Sequence, residues 1–312
     1  MQNIKLTCLF LLLFSLGCHS FASNEKLQQK TFVHDGINRT YWLHIPDKYS
    51  TADTLPLVMI LHGGGKSHGV EFAERTDFLL LAEKEGFIAI YPDGIDNQWN
   101  DGRGKSFRKN KDNINIDDVG FLYELINYSI NNLKADPARI YLTGLSNGGM
   151  MTLRMGIEHS STFAAIAPVI ANIPVNISSS VPDSPLSVLI MNGTEDPLVP
   201  WNGGSVRVFG KKYGEVLSTE ETVEYWVKYN SCNKNPSITE LPDKDKNDHS
   251  TVKVSVYGGG KEGSEVILYE ITGGGHSFPG SSVPDRYAIV GYKNNDITAP
   301  EIIWEFFKKH RK

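Results

Sequence analysis

The sequence predicts an α/β fold, a mostly parallel sheet covered by helices on both faces within one large domain. Short apolar and β-branched runs alternate with longer helix-forming segments along the chain, the pattern left by strand-helix-strand crossovers. About 290 residues remain once an N-terminal segment is set aside, enough to bury most of the unfolded surface in a single domain. No internal repeat or linker divides the chain, so residues 23–312 read as one unit.

The N-terminus comes first. Lys5 precedes the apolar run Leu6 to Leu16, and Ser20-Phe21-Ala22 places small residues at the minus-three and minus-one positions of a cleavage site. Residues 1–22 therefore read as a secretory signal peptide. The apolar run is too short to span a bilayer, which takes about 20 residues. Ser15-Leu16-Gly17-Cys18 offers a rival reading, a lipid anchor at Cys18, but Ser15 stands where leucine is usual. Simple export is the preferred reading, and either route makes the protein secreted or periplasmic.

Antiparallel strands are expected at Lys30 to Val33 and Arg39 to Ile45. Further strands follow at Pro56 to Leu61, Phe87 to Tyr91, Ile140 to Thr143, Ser187 to Asn192 and Val266 to Ile271. Helices alternate with them at Glu71 to Glu85, Asp118 to Leu133, Met150 to His159 and Glu220 to Lys228. Ser218-x-x-Glu221 and Thr298-x-x-Glu301 read as capping boxes opening the last two helices, the second running to about Lys309. Two long polar loops stand out, Asp93 to Ile116 and Leu241 to Ser250, because long irregular loops in compact domains are functional or mobile. The first carries Trp99 and the cluster Arg103, Lys105, Arg108, Lys109 and Lys111. It reads either as a substrate-facing rim with Trp99 stacking on a ring, or as a solvated loop with Trp99 packed for structure. Asp117 and Asp118 are placed to anchor that loop and cap the next helix.

The chemistry centres on Gly144-Leu145-Ser146-Asn147-Gly148, which lies between a strand and a helix. A serine on such a sharp turn needs neighbours without Cβ atoms, and the turn pushes Oγ toward substrate. A second motif, Leu61-His62-Gly63-Gly64-Gly65, closes an earlier strand. When Ser146 attacks a carbonyl, the oxygen becomes negative and needs preorganised N–H donors. The expected donors are the amide of Asn147 and amides of Gly63, Gly64 and Gly65. His62 precedes the serine and is expected to brace the loop rather than act as base.

The partners of such a serine follow in the order acid, then histidine. Of the nine histidines, His249, His276 and His310 lie downstream of a plausible acid. His249 and His310 sit in charged segments and read as solvent-facing. His276 follows a strand through Thr272-Gly273-Gly274-Gly275, a loop able to present an imidazole at the sheet's carboxyl end. The acid should come from Gly193-Thr194-Glu195-Asp196-Pro197, where either Glu195 or Asp196 could orient the imidazole. Pro197 fixes the turn beside Asp196.

At these residues the chain resembles the secreted polyhydroxybutyrate depolymerase and feruloyl esterase family, within carbohydrate esterase family one. The resemblance rests on G-L-S-N-G-G-M at Gly144 to Met150, Y-P-D-G at Tyr91 to Gly94 with Trp99 after it, and D-D-V-G-F at Asp117 to Phe121. It extends through G-T-E-D-P-L-V-P at Gly193 to Pro200 and G-G-G-H-S-F-P-G at Gly273 to Gly280. It covers about Thr40 to Gly280 and implies an α/β-hydrolase fold with Ser146 as nucleophile, Asp196 as acid and His276 as base. There are two departures. Phe278 stands where many relatives carry tryptophan. Cys232 lacks a downstream partner, since Tyr257-Gly258-Gly259-Gly260 stands where some relatives place a cysteine.

With Cys8 and Cys18 in the N-terminal segment, Cys232 is the single cysteine of the mature chain and reads as a buried, inert thiol. The mature chain carries 30 basic and 36 acidic residues, net −6, because residues 1–22 hold one lysine and no acid. There is no basic stripe and no zinc-ligand spacing, so nucleic-acid and metal partners are not implied. The expectation is an exported serine esterase, without cofactor and monomeric, acting on a small-molecule or oligomeric ester of feruloyl, acetyl or polyhydroxyalkanoate type. Trp99, Trp201 and Phe278 are the candidate substrate contacts. A serine peptidase of the same fold, or a non-catalytic binding protein, are the alternatives.

Overall fold

The computed structural model describes residues 26–47, 54–65, 67–105, 115–281 and 287–312. The expected signal segment with Cys8 and Cys18, and Arg108, Lys109 and Lys111, lie outside them. The first half of the chain runs β1 (Gln28–His34), β2 (Ile37–His44), β3 (Leu55–Leu61), α1 (Gly69–Arg75), α2 (Phe78–Glu85), β4 (Ile88–Pro92), α3 (Asp118–Asn132), β5 (Ala135–Leu145) and α4 (Asn147–Glu158). Then follow β6 (Ala165–Val169), β7 (Ser187–Gly193), β8 (Gly204–Val208), β9 (Lys211–Val216), α5 (Thr219–Asn230), β10 (Ser237–Glu240), β11 (Thr251–Tyr257), β12 (Val266–Thr272), α6 (Tyr287–Val290) and α7 (Ala299–Phe307).

Ten strands form one sheet in the order β1-β2-β4-β3-β5-β6-β7-β12-β11-β10. From β4 to β12 every pairing is parallel, and antiparallel strands close both edges. The apolar runs of the central strands follow from burial on both faces. Leu57, Met59 and Leu61 of β3 point to one face, where they meet Phe121, Leu122 and Leu125 of α3 and Met150 and Leu153 of α4. Val58 and Ile60 point to the other, with Phe72 of α1, Phe78 of α2 and Trp304 and Phe307 of α7. No helix among the described residues is long and apolar enough to cross a membrane.

Several elements differ from the sequence reading. The helix expected over Glu71 to Glu85 is two helices, because Thr76 is extended (φ −124°, ψ 144°) and its hydroxyl donates to the Phe72 carbonyl at 2.9 Å, a side-chain bond that competes with the helix. Strand β6 carries no clear strand signal in the sequence because Pro168 interrupts its short apolar run, and a proline argues against a central strand. The Ser218 capping box forms, with Glu221 N–H donating to Ser218 Oγ at 3.0 Å and Ser218 N–H to Glu221 Oε2 at 2.8 Å. The Thr298 box does not. Thr298 makes no side-chain cap bond, and Pro300 in the first turn presets the helix instead. His310 also departs from its expected solvent exposure: its ring packs on Phe306 with centroids 4.6 Å apart, and Nε2 lies 3.2 Å from Glu265.

Candidate active site

Ser146 lies on the one-residue turn between β5 and α4, with φ 56° and ψ −114°. A non-glycine residue there costs on the order of 1–3 kcal/mol, and the surroundings must hold it. They do so from both sides: Ser146 N–H donates to Val169 O at 2.9 Å, and its carbonyl accepts from Met150 N–H at 2.8 Å. The flanking glycines are required by contact. A Cβ on Gly144 would lie 2.5 Å from Gly148 O, and one on Gly148 the same distance from Leu61 O and closer still to His62 O.

The serine, histidine and acid expected from sequence come together. His276 Nε2 lies 2.9 Å from Ser146 Oγ, and its Nδ1 lies 2.7 Å from Asp196 Oδ2. Asp196 is buried, its side chain 2% exposed. Its other oxygen, Oδ1, accepts the amides of Leu198 at 2.7 Å and Val199 at 2.9 Å. With Oδ1 so engaged, Asp196 reaches the imidazole through Oδ2, so Nδ1 carries the proton and Nε2 is left to accept from the serine. Glu195, the other candidate acid, is exposed and does not meet the imidazole. The His276 loop is tied down through His276 N–H to Val290 O at 2.5 Å and Gly275 N–H to Tyr292 O at 2.7 Å.

The glycine loop after β3 lies against the elbow. The Cβ position of Gly63 is 3.8 Å from Ser146 Cβ, and that of Gly64 is 3.4 Å from Asn147 Cβ, while Gly65 adopts φ +100°. Asn147 stands at the first position of α4, where amides have no partner within the helix. His62 braces the loop as expected. Its Nε2 accepts Gly94 N–H at 2.9 Å, which puts the proton on Nδ1, 2.7 Å from Gly63 O.

The aromatic residues are arranged differently from the expected substrate contacts. Trp99 is 4% exposed, donates through Nε1 to His62 O at 2.9 Å and lies 5.0 Å from the His62 ring. Of its two readings, the structure has the packed one. Phe278, 6% exposed, sits edge-on to Phe72 at 5.8 Å and against Phe78 at 6.4 Å, so the ring is core. Trp201 is half-buried, packs against the core and borders a cleft along α5.

Three supporting carboxylates and amides had weaker sequence signals. Asp101 is buried and accepts Asn147 Nδ2 at 2.6 Å and Arg103 Nε at 2.8 Å, tying the loop after β4 to the elbow. Nothing in the linear sequence distinguishes it from the other loop acids. Asp118 is buried in an ion pair with Arg39 at 2.6 Å, and its second oxygen accepts Asn100 N–H at 2.7 Å. It anchors the loop, while Asp117 caps α3 through Gly120 N–H at 2.8 Å. Asn192 Nδ2 lies 2.8 Å from Asn172 Oδ1 and 3.0 Å from Thr219 Oγ1, holding the carboxyl end of β7 from which the acid loop springs. Cys232 is buried with no disulfide, and burial pushes its thiol up, helped by the Glu265 charge.

A family model described as "Esterase PHB depolymerase" matches residues 39–198, which is 160 of the 312 residues. "Putative esterase NocK" of Nocardia uniformis subsp. tsuyamanensis is 28% identical over 279 residues, covering 87% of this chain and 79% of that protein. "Feruloyl esterase B" of Piromyces equi is 28% identical over 236 residues, 74% of this chain, but the chain spans only 41% of that protein's length. Among solved structures, the "Acetyl xylan esterase from Aspergillus awamori" superposes with a TM-score of 0.56 at 16% identity, covering 90% of this chain and 99% of that one. Likeness at that identity concerns the fold, which is that of the α/β-hydrolases.

Proposed function

The chain belongs to the PHB depolymerase esterase family and is a carboxylic-ester hydrolase; from that premise we propose that it is an exported serine esterase working through an acyl-enzyme on Ser146. The observation that carries the reading is the continuous Ser146–His276–Asp196 hydrogen-bond chain on a strained elbow.

His276 Nε2 takes the Ser146 proton as Oγ attacks the ester carbonyl carbon. The Asp196 carboxylate holds Nδ1–H and stabilises the imidazolium that forms. The oxyanion is stabilised by amides of Asn147 and the Gly63 to Gly65 loop. Collapse expels the alcohol, protonated by His276, and leaves the acyl group on Ser146. Water deprotonated by His276 then attacks the acyl carbon, the acid departs, and the proton returns to Oγ. Proton exchange between imidazole, serine and water completes this cycle without a cofactor.

Residues 23–312 are read as one catalytic domain. The signal-like pattern at residues 1–22 supports export. Relatives named feruloyl and acetylxylan esterases favour feruloyl- or acetyl-type esters, with polyhydroxyalkanoate oligomers next. A fluorophosphonate probe should label the wild type and fail on Ser146→Ala. Labelling that persists in the variant would remove Ser146 from the role. Turnover of p-nitrophenyl acetate, methyl ferulate and hydroxybutyrate oligomers, against a peptide amide panel, sorts the ester class and would expose a peptidase.

A further inference from the structure

At the sheet edge remote in sequence from the triad, the β1–β2 hairpin meets the start of α3 and gathers His34, Asp35, Asp117 and Glu124. We propose that His34 Nε2 and the carboxylates of Asp35 and Asp117 form a binding site for a Zn2+-type divalent cation, with Glu124 orienting the histidine and water completing the coordination.

The His34 side chain is 7% exposed, yet its Nε2 has no hydrogen-bond partner among the described residues. A buried polar atom is ordinarily paired, so a lone one calls for a reason. That atom faces two carboxylates, 3.4 Å from Asp117 Oδ2 and 3.7 Å from Asp35 Oδ2. The three candidate ligand atoms all lie within 4.8 Å of one another. Tetrahedral zinc with bonds of about 2.0–2.2 Å sets neighbouring ligand atoms about 3.3–3.6 Å apart. The two histidine-carboxylate separations are thus close to that geometry. The two carboxylates lie within 4.8 Å of each other and are both solvent-exposed, Asp35 at 71%.

The surroundings orient each donor. Glu124 Oε2 lies 2.8 Å from His34 Nδ1, so a proton held on Nδ1 leaves the Nε2 lone pair for a metal, as in carboxylate-histidine-metal arrays. Asp117 spends Oδ1 on the Gly120 amide, which turns Oδ2 toward His34. Asp35 and Gly36, with φ 49° and 74°, form the hairpin turn that brings the Asp35 carboxylate to the same spot. Gly120 completes the cradle: a Cβ there would overlap the Asp117 carboxylate and lie 2.9 Å from His34 Cε1. Histidine with two carboxylates and an open position suits zinc better than magnesium or calcium, which take oxygen shells.

The test is Zn2+ titration of the mature protein by calorimetry, with thermal melts in parallel. The expected result is one zinc per chain at this site, a Tm raised by Zn2+, and at least tenfold weaker binding in Asp35→Asn, with p-nitrophenyl acetate turnover retained. Asparagine tolerates the left-handed backbone of that turn, so this variant should fold as the wild type does. His34→Asn gives a second reading, and Glu124→Gln should weaken binding by about 10–100-fold through the histidine's orientation. Absence of a one-to-one site, or equal Zn2+ affinity in wild type, Asp35→Asn and His34→Asn, would overturn the proposal and leave the cluster as a histidine-carboxylate ion-pair network.

Discussion

Replacing Gly148 by alanine tests the elbow through space rather than through chemistry. A Cβ at this position would sit 2.5 Å from Leu61 O, where ordinary van der Waals contact begins at 3.4 Å. Helix α4 and the end of β3 must therefore separate by about 1 Å, and a misplacement of that size at a reacting centre costs about 100-fold in rate. The separation opens between Ser146 at the head of α4 and the glycine loop after β3, so kcat should fall by about that factor while KM changes little. Overpacking costs about 1–3 kcal/mol, whereas alanine ordinarily favours a helix over glycine by about 1 kcal/mol. The net destabilisation is then small, and Tm should fall by no more than about 5 °C. Gly258→Ala is the control, because a Cβ there meets nothing within 4 Å. The assay is steady-state hydrolysis of p-nitrophenyl acetate together with calorimetric melts. A Gly148→Ala enzyme with wild-type kcat and Tm would refute the close-approach argument, and an equal loss in Gly258→Ala would show that glycine removal in general, rather than this contact, is responsible.

Asp196→Asn should lower kcat on the order of 10⁴-fold with the fold retained, because an amide can stabilise the wrong imidazole tautomer; a loss under tenfold would shift the acid's role elsewhere. Asp118→Ala should cost about 3–5 kcal/mol in urea unfolding, since it strands buried Arg39 without its partner. A change below 1 kcal/mol would mean that the ion pair is dispensable. Burial alone would raise the Asp136 carboxyl, but the Ala138 amide, the Arg139 hydrogen bond and charge, and Arg311 hold it below its ordinary 3.8. A lowered folded value adds stability above 3.8 that disappears as the pH falls through and below it. The Tm gap between wild type and Asp136→Asn should therefore be widest near neutrality and narrow toward pH 3. A gap constant over that range contradicts the assignment.

Local patterns made the central strands readable. The apolar runs Pro56 to Leu61 and Ser187 to Asn192 lie in strands buried on both faces, and helix α3 lies where its amphipathic segment predicts. β6 was not readable, because Pro168 carries a breaker signal that only neighbouring strands on both sides override. β11 carries an alternation of Val252, Val254 and Val256 with polar residues and pairs with its chain neighbours β10 and β12 across connections of ten and eight residues, but nothing within Thr251 to Tyr257 announces those partners. At the candidate site, Ser146 and His276 were legible because each sits in a turn with its own glycine signature, whereas the residues alone left Glu195 beside Asp196 and the family resemblance favoured Asp196. The aromatic contacts were not legible. Trp99 follows the Tyr91 to Gly94 motif and Phe278 stands two residues after His276, but whether an aromatic ring near a site faces the cleft or the core depends on which side of its loop is covered, and in both cases the ring is buried.

By itself the sequence determined the elements whose causes are local: strand and helix patterns, the elbow's glycines, the Ser218 capping box, and the order of serine, acid and histidine. The tertiary structure decided what depends on meeting across distance. It brought His276 over 130 residues to Ser146 and over 80 to Asp196. It joined Asp101 to Asn147 and Arg39 to Asp118, and set His34 beside Asp117 and Glu124. Propensity and turn chemistry act over a few neighbouring residues, whereas hydrogen bonds and burial act over a few ångströms of space, and only the folded sheet converts one kind of neighbourhood into the other.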